Sequence, residues 1–88
     1  MTVSSESTPP IRVRLFARYA ELVGRDLIEF SSDRARSVAE VVDLIRGFPG
    51  GDAIPARPLV AVNLEQSGPD RAVKAGDEVA LLPPLAGG

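Results

Sequence analysis

One stretch of this 88-residue chain carries the apolar spacing of a helix long enough to cover a sheet. Val38, Val41, Val42 and Ile45 fall at i, i+3, i+4 and i+7, a single helical face. Ser37 and Glu40 open it as a capping box, each side chain accepting from the other residue's amide. Gly47, Pro49 and the Gly50-Gly51 pair close it. Elsewhere the apolar residues follow a strand period. The run from Ile11 alternates until Phe16, with Ile11, Val13 and Leu15 facing inward. Asp26 to Phe30 reads as a second strand with Ile28 and Phe30 toward the core. Between the two, Tyr19 to Gly24 is too short for a full helix and reads as a single turn ended by Gly24. Leu59 to Val62 makes a short apolar strand closed by Asn63, a residue that tolerates positive φ. Arg71 to Ala75 holds a short extended piece, and Gly76-Asp77 turns the chain into a last strand, Glu78 to Leu82. This order predicts an α+β fold in which one sheet packs on one helix.

The totals limit what such a domain can do. Residues 1–10 contain five Ser or Thr and two Pro, a composition that cannot offset its ordering entropy. They read as a flexible tail ahead of a domain over residues 11–82, with 83–88 as an extended C-terminal tail. A core of that size uses nearly all its apolar side chains, leaving little for an enclosed active site. The net charge of −2 is spread without long runs, so no basic footprint for nucleic acid is present. No apolar stretch reaches the length of a membrane span and no signal peptide precedes the domain, so a cytoplasmic protein is expected. Cys and His are both absent. That removes disulfides, thiolate nucleophiles, imidazole bases and the usual zinc ligands, so no metal site and no bound cofactor are expected. Any chemistry is expected to need a partner.

The end of the sequence, LLPPLAGG, offers the remaining reactive group. Pro83 and Pro84 cannot donate to a ladder, so the strand stops there. Two prolines favour an extended path away from the body. From Pro83 to Gly88 six residues reach roughly 20 Å at about 3.3 Å each. Gly87 and Gly88 lack Cβ atoms and would pass a tunnel too narrow for other residues. What arrives at its end is the α-carboxylate of Gly88. Leu85 and Ala86 complete a tail that is less polar than one kept for solubility.

Strand parity adds a surface. Phe16 faces away from Val13 and Leu15, and Leu82 faces away from Val79 and Leu81, as does Ala80. One helix covers one face of a sheet, so Phe16, Ala80 and Leu82 are left for a partner unless the loop from Pro49 to Pro58 shields them. Asp77 and Glu78 are adjacent in a strand, point to opposite faces and read as turn and surface. Lys74, the one lysine, reads as a solvated charge beside a turn.

The stretches VRLFARYAELVG, VAVN and above all AGDEVALLPPLAGG resemble the MoaD family, the small sulfur-carrying subunit of molybdopterin synthase, over Ile11 to Gly88. The resemblance implies a β-grasp, ubiquitin-like fold with a mixed sheet and places Phe16 and Leu82 side by side. It implies that a MoeB-type adenylating enzyme, using its own ATP and Mg²⁺, converts the Gly88 carboxylate to an acyl-adenylate. A persulfide donor then supplies sulfur, and the resulting thiocarboxylate attacks the pterin precursor in the large subunit, in a heterotetramer with two copies of each chain. Phe16, Ala80, Leu82, Pro83, Pro84, Leu85, Ala86 and Gly87 would contact partners. Ala20 stands where many members carry Arg before Glu-Leu, and Leu85-Ala86 where Val then Ser or Thr is common. The same terminus would also suit a sulfur carrier of another pathway or a ubiquitin-like modifier, although a single lysine argues against branched self-chains. A third reading is an interaction module with an inert tail.

Overall fold

The computed structural model describes residues 9–32 and 34–84. Residues 1–8, most of the N-terminal tail, and residues 85–88 lie outside the described residues, as does Asp33. Strand β1 spans Ile11–Leu15, helix α1 Arg18–Val23, β2 Leu27–Phe30, β3 Arg36–Ser37, helix α2 Val38–Arg46, β4 Leu59–Val62, β5 Glu65–Gln66, β6 Ala72–Val73 and β7 Glu78–Leu82. A 3₁₀ turn, Gly51–Ala53, lies between α2 and β4. The main sheet runs β2-β1-β7-β4-β5, and β3 pairs with β6 in a two-stranded ribbon. The sheet is mixed, with β1 and β7 parallel and the other neighbours antiparallel. Among the described residues no helix is long and apolar enough to cross a membrane.

Helix α2 forms as its spacing dictates. The Ser37 hydroxyl accepts from the Glu40 amide at 3.1 Å and the Glu40 carboxylate accepts from the Ser37 amide at 3.0 Å, closing the capping box. Val38, Val41, Val42 and Ile45 are buried, and they meet Val13, Leu15, Val60, Val62, Val79 and Leu81 in one core. Ile28 is buried as the alternation required, and Phe30 packs half-buried against the same cluster.

Three local readings need correction. The segment after β1 is a six-residue helix, not a single turn. The chain reverses at Ala17 (φ 50°), the Tyr19 amide donates to the Phe16 carbonyl at 3.0 Å, and the Tyr19 ring drops into the core. That burial anchors a helix too short to persist alone. The pairs at β3 and β5 went unforeseen because two-residue ladders carry no period. Asp77 sits in its turn but is 7% exposed rather than a surface residue.

The Asp77 carboxylate organises the entry to β7. It accepts from the Lys74 amide at 3.0 Å and from the Asn63 amide group at 3.1 Å, with the Lys74 ammonium 3.5 Å away. Asn63 in turn accepts from the Glu78 amide at 3.0 Å. Lys74 itself is otherwise exposed. The turn needs Gly76 at φ 88°, where a side chain would be strained. Gly51 is required for a different reason: a Cβ there would collide with the Ile45 carbonyl oxygen, so only glycine lets the 3₁₀ turn lie on the end of α2.

Burial alone would raise the Asp77 pKa, but the Lys74 amide, the Asn63 side chain and the Lys74 charge together outweigh it and hold it below its ordinary 3.8. A carboxyl with a depressed folded pKa stabilises above its unfolded pKa and loses that contribution as pH falls through the folded value. Asp77→Asn therefore lowers stability by about 1–3 kcal/mol at neutral pH. In urea titrations the gap to wild type closes as the pH drops below 3.8 toward the folded pKa.

Candidate functional site

The end of β7 is where structure and reactive sequence meet. β7 lies between β1 and β4, paired on both sides, with Val79 and Leu81 fully buried beneath it. Register pairs Leu81 with Leu15 and Val60, and Leu82 with Leu59. Pro83 and Pro84 follow directly, lie outside the ladder, and are half-buried and exposed respectively. Leu85, Ala86, Gly87 and Gly88 lie outside the described residues, so the chemistry at Gly88 rests on the sequence.

The sheet face opposite α2 divides into two halves. At the start of β7 it is charged: Arg12 pairs with Glu29 across β1 and β2 at 3.2 Å, and Arg14 pairs with Glu78 across β1 and β7. These half-exposed cross-strand pairs contribute at most about 1 kcal/mol each. Toward the end of β7 the same face turns apolar. Ala80 and Leu82 are half-buried there, and Phe16, one residue past β1, is 43% exposed. Ala80 and Leu82 thus lie on the face that parity assigned them, and the parallel register places Arg14 beside Ala80 and Leu15 beside Leu81. Phe16 lies one residue past the end of that ladder and is exposed.

The structure adds Leu59 and Ala61, which the sequence reading left without a face. They pair with Leu82 and Ala80 and, by parity with buried Val60 and Val62, point outward; Leu59 is 46% exposed. The signal was present in the alternation of β4, but an all-apolar run does not reveal which parity faces the helix. The first part of the loop from Pro49 to Pro58 packs on the helices, with Gly50 against the Leu22 carbonyl and the Arg46 guanidinium donating to the Ile54 carbonyl at 2.7 Å, and its end comes beside Leu59, which stays 46% exposed.

Leu82, Ala80, Ala61 and Leu59 therefore form an apolar strip of ladder partners on the exposed face beside the two prolines, with Phe16 exposed one residue past the end of β1. Such a strip suits a protein partner. The described residues contain no cluster of carboxylates able to hold a metal ion. Tyr19, the nearest phenol, has its pKa raised by burial, partly offset by the Arg18 charge, and stays neutral at working pH.

Similarity to known proteins agrees with this geometry. Residues 13–88 match the ThiS family. A molybdopterin synthase sulfur carrier subunit of Chlamydomonas reinhardtii is 35% identical over 81 residues, covering 89% of this chain and 98% of that one. Among solved structures, SAMP1 of Haloferax volcanii superposes with a TM-score of 0.75 at 27% identity, covering 90% of this chain and 99% of its own. A complex of subunits 1 and 2 of molybdopterin-converting factor from Helicobacter pylori contains a chain of the same fold, with a TM-score of 0.65, 20% identity and coverage of 90% and 99%.

The division of β7 into a core face and an outer face has a measurable consequence. Leu81→Ala removes a fully buried side chain and lowers stability by about 2–5 kcal/mol. Leu82→Ala, one residue on, lowers it by less than about 1 kcal/mol. Chemical denaturation of the two variants checks the pair; equal losses would contradict the assignment of faces.

Proposed function

The chain belongs to the ThiS family, and on that premise we propose that it is the sulfur carrier subunit of molybdopterin synthase. The observation that carries the reading is likeness along nearly the whole length of a chain bearing that name. The apolar strip that ends at Pro83 and Pro84 supports it, because a carrier must hold its tail against the protein that uses it. Gly88 is the reacting residue in this reading, and the body of the domain positions it.

The chemistry follows from what a carboxylate lacks. It is a poor electrophile, so an adenylating enzyme of the MoeB type activates it with ATP and Mg²⁺, releasing pyrophosphate and leaving an acyl-adenylate on Gly88. The terminal sulfur of a persulfide attacks that acyl carbon and AMP departs. A thiol then cleaves the acyl disulfide, freeing the thiocarboxylate and forming a disulfide with the donor. The thiocarboxylate sulfur is the better nucleophile and attacks the pterin precursor held by the large subunit. A dithiolene needs two sulfurs, so two loaded carriers are consumed per product. ATP and Mg²⁺ belong to the activating enzyme, and the reactions take place in the cytoplasm. The large subunit covers Phe16, Ala80, Leu82 and the prolines, while Leu85, Ala86 and Gly87 lead Gly88 into its active site, in an assembly with two copies of each chain.

A second reading draws on SAMP1, which is described as a small archaeal modifier protein. The same activated glycine could acylate a target lysine. The products distinguish the two: a sulfur-for-oxygen exchange at Gly88 in one case, an isopeptide in the other.

Position sets the chemistry, because displacing a reacting atom by even 1 Å can cost about 100-fold in rate. Deleting Gly88, or adding one Ala after it, shifts the terminus by about 3.3 Å and is expected to abolish thiocarboxylate formation and precursor conversion. Gly87→Val is expected to slow loading with stability unchanged. The readout is intact mass after incubation with ATP, the adenylating enzyme and a persulfide source. Normal conversion by the deleted and extended chains would refute the carrier reading.

A further inference from the structure

Beside the root of the tail the surface is concave. Tyr19, Pro55, Arg57, Pro58, Leu59 and Pro84 wall a recess of about 280 Å³. Its lining is mainly apolar, and half of its walls are prolines. These present no backbone N–H to be satisfied and have little freedom to lose on binding, so the recess is ready for an occupant. Arg57 stands exposed on the rim and has no carboxylate within ion-pair distance among the described residues.

Two of the walls tie the recess to the docking strip. Leu59 belongs to both, and Pro84 follows Leu82 by two residues. A protein that covers Leu82 and Leu59 reaches the edge of the recess, since Leu59 is one of its walls. A partner that extends over the recess takes water from Arg57, and a guanidinium desolvated without an anion is strongly disfavoured. The occupant must supply the anion as well as the apolar filling.

We propose that this recess receives a segment of the large synthase subunit in which an apolar side chain is flanked by a carboxylate. The apolar group packs on Pro55, Pro58 and Leu59, and the carboxylate takes a bidentate pair with Arg57. This assignment rests on the sulfur-carrier reading and adds a charged, specificity-determining contact to an otherwise apolar strip.

The test titrates purified large subunit with the wild-type chain, Arg57→Glu, Arg57→Lys and Leu82→Asp by calorimetry, at low and high salt. Arg57→Glu is expected to raise Kd by about tenfold or more, equivalent to at least about 1.4 kcal/mol. Arg57→Lys is expected to fall between it and wild type, and wild-type affinity to weaken with salt more than that of Arg57→Glu. If Leu82→Asp weakens binding and Arg57→Glu does not, the recess lies outside the interface and this inference is overturned while the docking strip stands. If neither weakens binding, both fail. Weakening by Arg57→Glu alone supports the recess and overturns the strip. Should Arg57→Glu not fold, exchange of the Arg57 Nε–H in the wild-type complex decides: slowed exchange supports the pair, and unchanged exchange refutes it.

Discussion

The fold depends on the parallel pairing of its first and last strands. β7 enters the sheet between β1 and β4, so the last strand of the chain is the central one, with Val79 and Leu81 buried beneath it. Pro83 therefore follows directly on a strand that has a neighbour on each side. Pro83 and Pro84 then end the ladder, since neither can donate a hydrogen bond.

The same pairing separates stability from recognition. Side chains of one parity on β1, β4 and β7 meet α2 and form the core. Those of the other parity form a face that is charged at one end and apolar at the other, with the apolar end beside the tail root. A substitution on the outer face can change what the protein binds without opening a cavity beneath it. The Asp77, Asn63 and Lys74 network stands at the other end of β7 and fixes where the strand begins, and so which parity faces the helix.

Much of this was legible residue by residue. The capping box at Ser37 and Glu40, the buried face of α2, the end of β4 at Asn63 and the outward parity of Ala80 and Leu82 are local features, and the structure has each of them. The exceptions share a physical cause. α1 is longer than its sequence suggests because the buried Tyr19 ring stabilises it. β3 and β5 are ladders of two residues, too short for alternation to register. Asp77 is enclosed by Lys74, three residues before it, and by Asn63, fourteen residues before it, and only the second contact depends on the fold. Leu59 and Arg57 acquire their places through β4 pairing with β7 and through the path of the loop that precedes it.

The sequence by itself determined the class of fold, the one helix that covers the sheet, and the absence of Cys and His. These follow from short-range periodicity and from composition, which need no knowledge of what lies nearby in space. The tertiary structure decided which strands are neighbours, and with that which residues share the outer face and which wall the recess at Pro84. Strand order is set by contacts between residues far apart in the chain, and no local pattern encodes that a last strand will lie beside the first.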